Sequence, residues 1–263
     1  MSGLPLTFSN VHGQYRPTWA PLNELPFKGE AGLLEQVLRR ACLALGIVAL
    51  AAADASADEM QCPGAPTSVI SPTKDLAARI CAAAIWAEAF FVRCGLVQER
   101  TLSIDVVDRL THPLGLPVIA TFDATKWKIQ ISTYEAVQSI ILPGSVYRML
   151  PPRDVYDSLV VHEVAHAIFR EHVHDLNIPV SAHEYVAYAI QIASLPPEAR
   201  DTFLLGFPRQ TPSGFGIFNE VYLAMGPLRF GANAYRHLFK DNMSCQTIRR
   251  IAAGEADFPL PLE

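Results

Sequence analysis

The sequence predicts an α+β fold, with a small mixed or antiparallel sheet beside a buried helix and a mainly helical C-terminal part. Three observations predict it. Short apolar runs with turn residues between them lie at 102–107, 117–122 and 126–132. Residues 154–172 (DVYDSLVVHEVAHAIFREH) are apolar almost all round, the mark of a helix buried on every side. Beyond residue 180 the apolar positions fall at helical spacing, with prolines breaking the chain between runs.

Taken in order, residues 58–73 (DEMQCPGAPTSVISPT) form a lead-in rich in Pro, Ser and Gly. Thr73 is placed to cap a helix that runs through Cys94 and stops at Gly95. In the third apolar run, Trp127, Ile129 and Ile131 alternate with Lys128 and Gln130, the period of a strand. Asp123, Ala124 and Thr125 supply a hairpin turn before it. Ser132 and Glu135 have capping-box spacing ahead of a short helix ending near Leu142. Pro143, Gly144, Pro151 and Pro152 then break the chain before the long apolar helix. A second apolar helix covers SAHEYVAYAIQIAS (181–194), Pro196 and Pro197 open a loop-rich stretch, and 219–225 and 232–240 read as helices.

The long helix carries the chemistry. His162 and His166 are four positions apart, so on a helix both imidazoles point from one face toward one place. Glu163 projects from the neighbouring edge of the same turn. Two neutral imidazoles bind a zinc ion, and an adjacent carboxylate takes the proton from the attacking water. A catalytic zinc site needs a third protein ligand. Glu184, 18 positions after His166 at the start of the second helix, is one candidate. His172, ten positions after His162, is the other, and His183 is a weaker rival. Ser181 to Glu184 also has capping-box spacing, which would employ the same carboxylate locally.

The stretch from about 155 to 194 resembles the metal-binding core of gluzincin-type zincin metallopeptidases, and that of small bacterial families of uncharacterised function sharing it. In those enzymes the HExxH helix runs on, the chain loops back, and a glutamate on a second helix closes the site. The metzincin alternative needs a glycine turn where this chain has Phe169, a residue ill suited to positive φ. The resemblance implies that His162, His166 and Glu184 hold Zn2+ and that Glu163 is the general base. It implies a peptide or protein substrate. Many gluzincins carry an aspartate four residues after the ligand glutamate to orient a histidine; here that position is Tyr188. Tyr222, Tyr235 and His237 form the pool for an oxyanion donor. By the same analogy, the strand at 126–132 is a candidate substrate wall. Two alternatives stay open: a degenerate zincin serving as a zinc-binding or protein-binding module, and a metzincin-like site using His172.

The N-terminal part reads as an export signal. Arg39 and Arg40 precede an apolar run at 41–53, and Ala55-Ser56-Ala57 is a small-x-small cleavage site. Residues 37–57 are therefore expected to be a signal peptide, 58–263 the zincin-like domain, and 1–36 a non-native upstream extension or a disordered segment, with translation starting at Val37. Cleavage near Ala57 would deliver the mature chain to the periplasm or the outside. Cys62, Cys81, Cys94 and Cys245 remain after cleavage, an even number with no CxxC; they allow three disulfide pairings or free thiols. The net charge of −5 and the lack of a basic cluster argue against a nucleic-acid partner. No further apolar stretch reaches the 20 or so residues of a membrane span.

Overall fold

The computed structural model describes residues 58–112, 115–174, 178–208 and 212–259. The expected signal peptide and the segment before it lie outside the described residues. The fold is α+β, with a mixed five-stranded sheet in the N-terminal half and helices after it. No helix among the described residues is long and apolar enough to cross a membrane.

Two strands stand where the sequence suggested only a lead-in. β1 (Asp58–Gln61) and β2 (Thr67–Ser71) pair antiparallel across a turn containing Pro63 and Gly64. Pro63 and Pro66 lie between the two strands and Pro72 follows β2, so none interrupts a strand. α1 (Lys74–Arg93) follows, capped by Thr73, whose hydroxyl accepts from the Leu76 N–H at 3.3 Å. Gly95, at φ +75°, ends it. The Gly95 N–H donates to Val92 and the Leu96 N–H to Phe91, a Schellman closure that needs the left-handed residue. Ala77, Ile80, Ala84, Ala87 and Phe91 bury one face of the helix.

β3 (Leu102–Val107) then lies parallel to β2, so β2, α1 and β3 form a crossover unit. The apolar run at 117–122 divides: β5 (Pro117–Val118) pairs with β4 (Leu110–Thr111) in a separate ribbon, and β6 (Ala120–Asp123) joins the main sheet. β7 (Lys128–Ser132) enters between β3 and β6, giving the order β1-β2-β3-β7-β6. The expected substrate wall at 126–132 is therefore an interior strand, with both its edges paired; the edge strands are β1 and, next to β7, β6. The hairpin from β6 to β7 closes on the Asp123 carboxylate, which accepts from the Thr125 N–H and hydroxyl.

α2 (Tyr134–Ile140) is capped by Thr133, one residue later than expected. Ser132 is instead the last residue of β7; its hydroxyl accepts from the Leu110 N–H and donates to the Val118 carbonyl. After a 3-10 turn at Val146–Met149 comes α3 (Pro152–His172), with Pro152 in the first helical turn, where a missing N–H costs nothing. α3 packs against α1 and β6 on one side and α4 (Val180–Ser194) on the other. The Tyr156 hydroxyl donates to the Ser132 carbonyl at 3.1 Å and fastens α3 to the sheet.

α4 is buried at every position from Ser181 to Ile192. It lies between α3 and α7 (Pro227–Leu238). Pro197 does not open a loop but starts α5 (Pro197–Leu205), again a proline in a first helical turn. α6 (Glu220–Met225) is capped by Asn219, and α8 (Ser244–Ala252), not foreseen, closes the domain. Two disulfides brace these elements. Cys62–Cys81 joins the β1–β2 turn to α1, and Cys94–Cys245 joins the end of α1 to α8.

Candidate metal centre

α3 and α4 run antiparallel and share a polar seam. His166 meets Glu184 near one end of it, and Ser158, two turns earlier on α3, meets Gln191, two turns later on α4. Ser158, His162 and His166 recur every four residues and so share a face of α3. Glu184 and Gln191, seven apart, share a face of α4. By the same spacing Val155 and Leu159 on α3 and Ala187 on α4 fall on or beside these faces, and all three are buried.

Three donor groups converge in the seam. His166 Nε2 and His162 Nε2 are 3.1 Å apart. Glu184 Oε2 lies 3.4 Å from His162 Nε2, and Glu184 Oε1 lies 3.3 Å from His166 Nε2. Donors at zinc distances of about 2.0–2.1 Å and tetrahedral angles stand about 3.4 Å from one another. The separations thus match a single small cation with three protein ligands, and two imidazoles with one carboxylate are a borderline donor set suited to zinc. His162 and Glu184 are only 8% and 7% exposed, so the cluster sits where unpaired polar groups are costly. Burial opposes ionisation of Glu184, but the charges and hydrogen bonds of His166 and His162 outweigh it and hold the carboxyl below the usual carboxylate range.

Glu163, the next residue on α3, stays partly exposed. Burial pushes its carboxyl up to about 7, with His166 lowering it and Glu184 raising it. That places a proton acceptor of near-neutral affinity on the turn that carries His162.

The capping-box role for Glu184 does not hold. α4 begins at Val180, with Pro179 before it, so Ser181 is already inside the helix and Glu184 is free to face α3. His172 does not join the cluster: its Nε2 lies 3.0 Å from the Val97 carbonyl, because α3 continues through Phe169 without turning. His183 packs edge-on against Phe169 at 5.2 Å. His174 is exposed beyond the helix end.

A partner for His162 is present, but not where an acidic residue would stand. Tyr188 covers the His162 ring at a centroid distance of 4.6 Å. The hydrogen bond comes from Gln191, whose Oε1 lies 3.0 Å from His162 Nδ1. Its amide nitrogen donates to the Tyr147 hydroxyl at 2.8 Å and to Ser158 Oγ at 3.3 Å. A lone glutamine in an apolar helical run, seven residues after a candidate ligand, is the signal that could have found it.

The candidate oxyanion donors contact residues outside the cluster. The Tyr222 hydroxyl accepts from the Asn233 amide at 2.7 Å. His237 Nδ1 lies 2.7 Å from the Tyr185 hydroxyl, and the Tyr235 ring packs tilted against Phe239 at 5.1 Å.

A protein-family model described as a family of unknown function, DUF6639, matches residues 67–260. The chain belongs to the DUF6639 family. No curated protein and no solved structure matches it. The DUF6639 match starts at the first residue of β2 and runs beyond α8, so His162, Glu163, His166, Glu184 and Gln191 all lie inside it. β1 lies before it.

Proposed function

We propose that this DUF6639 protein is an exported zinc-dependent hydrolase that cleaves peptide bonds. The observation that carries the proposal is the convergence of His162 Nε2, His166 Nε2 and the Glu184 carboxylate at mutual distances of 3.1–3.4 Å, with Glu163 on the same turn as His162. A zinc ion bound there supplies a Lewis acid and lowers the pKa of a water to about 7. Glu163 takes the proton of the attacking water and passes it to the leaving amine. β6, the edge strand packed beside α3, offers backbone groups on which an extended peptide can be held as an added strand. The two disulfides support an oxidising compartment such as the periplasm or the exterior.

The test begins with metal analysis of the purified chain, followed by cleavage of a broad peptide library. Wild type should hold one zinc and cleave. Glu163→Gln should hold the zinc and lose activity by at least about 100-fold, as for the loss of a general base. Undiminished cleavage by that variant would sink the mechanism.

One observation favours a second reading, a zinc-binding or protein-binding module without catalysis. Tyr222 and His237 pair with Asn233 and Tyr185, and Tyr235 packs against Phe239, so the expected oxyanion pool is held by partners outside the His162–His166–Glu184 cluster. Zinc-loaded wild type that cleaves nothing in the library would select this reading.

A further inference from the structure

We propose that Gln191 is the positioning residue of this centre: its neutral amide fixes the tautomer and ring plane of His162, so that Nε2 turns its lone pair toward the metal. The inference rests on the zinc reading above.

The argument starts at Ser158. Its hydroxyl donates to the Val155 carbonyl at 2.8 Å, one turn back in α3, so Ser158 Oγ has only lone pairs to offer Gln191. The group facing it must be the amide nitrogen, which also reaches the Tyr147 hydroxyl. The amide oxygen is thereby turned to His162. An oxygen at 3.0 Å from Nδ1 requires that nitrogen to carry the proton. Nε2 of the same neutral ring then holds the lone pair, and Nε2 is the atom that faces His166 and Glu184. The relay is closed to solvent: Gln191 is 1% exposed and Ser158 2%. Tyr147 is buried too, and burial raises its phenol well above the usual value, so it stays neutral.

The identity of the partner matters as well as its place. A carboxylate behind a ligand histidine raises the basicity of the imidazole and tightens metal binding. An amide orients the ring equally well but adds no charge. Tyr188, where an acid would stand, makes an edge-type ring contact with His162, while the oxygen at Nδ1 comes from Gln191. The chain thus separates orientation from charge. Substituting Gln191→Glu adds the charge in a shape that fits, because the Tyr147 hydroxyl, which only accepts from Gln191, can turn to donate to a carboxylate.

The experiment compares wild type, Gln191→Leu and Gln191→Glu as full chains with intact disulfides. The His162 tautomer is read in the metal-free protein by long-range proton–nitrogen NMR correlation. Zinc affinity is read by competition with a chromophoric chelator. Wild type should show the Nδ1–H tautomer. Gln191→Leu should lose it and bind zinc about 10- to 100-fold more weakly. Gln191→Glu should keep it and bind zinc at least as tightly as wild type. A Gln191→Leu variant that keeps both tautomer and affinity overturns the proposal. If that variant does not fold, Gln191→Glu decides alone, and a ten-fold loss of affinity or a switched tautomer overturns it. Wild type that takes up no zinc sinks the function proposed above, and the tautomer spectra then decide whether Gln191 positions His162.

Discussion

Tyr188 and Gly231 touch so closely that a methyl group at position 231 would lie 2.9 Å from the tyrosine ring. The contact joins α4 to α7, and the other face of the problem is functional, since the same ring covers His162 at 4.6 Å. Gly231→Ala should gain about 1 kcal/mol of helix propensity. It should lose about 1–3 kcal/mol to overpacking, because Tyr188 is held between Gly231 and His162 and has little room to yield. The expected result is a net loss of stability in urea unfolding together with weaker zinc binding. A variant more stable than wild type, with unchanged zinc affinity, would show that Tyr188 moves freely.

The hairpin from β6 to β7 should respond to acid through Asp123. Its carboxyl is lowered to about 2, chiefly by the hydrogen bond from the Thr125 hydroxyl, with backbone N–H groups of Thr125 and Lys126 adding and desolvation opposing. A carboxylate depressed in the folded state contributes stability above its unfolded value near 3.9, and that contribution is lost as pH falls toward 2. Asp123→Asn should therefore flatten the stability curve between about pH 4 and pH 2. The group is more than a third exposed, so the effect is small. An identical acid limb in wild type and variant would show that the Asp123 turn makes no such contribution.

The two disulfides should differ in their effect on stability. Cys94–Cys245 spans 151 residues and Cys62–Cys81 spans 19. By loop-closure entropy, the long bridge stabilises by about 5 kcal/mol and the short one by about 3 kcal/mol. Replacing both cysteines of each pair with serine, then measuring denaturant midpoints, should give the larger loss for the pair holding α8 to α1. The reverse order would mean that strain or residual structure in the unfolded chain governs the difference.

What could be read from the sequence was what local geometry dictates. His162, Glu163 and His166 needed only the pitch of one helix, and Thr73 and Gly95 needed only the chemistry of helix ends. Glu184 needed one step more, that the chain loops back, and Pro179 marks that break. The failures share another cause. β2 is buried on almost every residue and so lacks the alternation that reveals a strand, while the neighbouring prolines suggested a loop. Pro152 and Pro197 look like breaks in the sequence, yet a first helical turn accepts proline. Placing β7 between β3 and β6, or Gln191 opposite Ser158, depends on register between elements distant in sequence, which no local pattern encodes.

The sharpest test of the centre itself is a ligand exchange. Among the described residues, His162, His166 and Glu184 form the only group of three or more potential ligands whose donor atoms all come close together. His172 bonds instead to Val97, at the far end of α3. Glu184→Ala should therefore cost most of the zinc measured after dialysis, because two histidines leave the ion one protein ligand short of the usual set. His172→Ala should keep its full zinc content and lose only the stability of one partly exposed hydrogen bond, about 1 kcal/mol. Zinc should raise the melting temperature of wild type and of His172→Ala alike, since a ligand at 1,000 times its dissociation constant adds about 4 kcal/mol to folding. Glu184→Ala should show little of that shift. Zinc retained by Glu184→Ala but lost by His172→Ala would move the third ligand to the end of α3, which requires a helix bent at Phe169 in place of the straight one described.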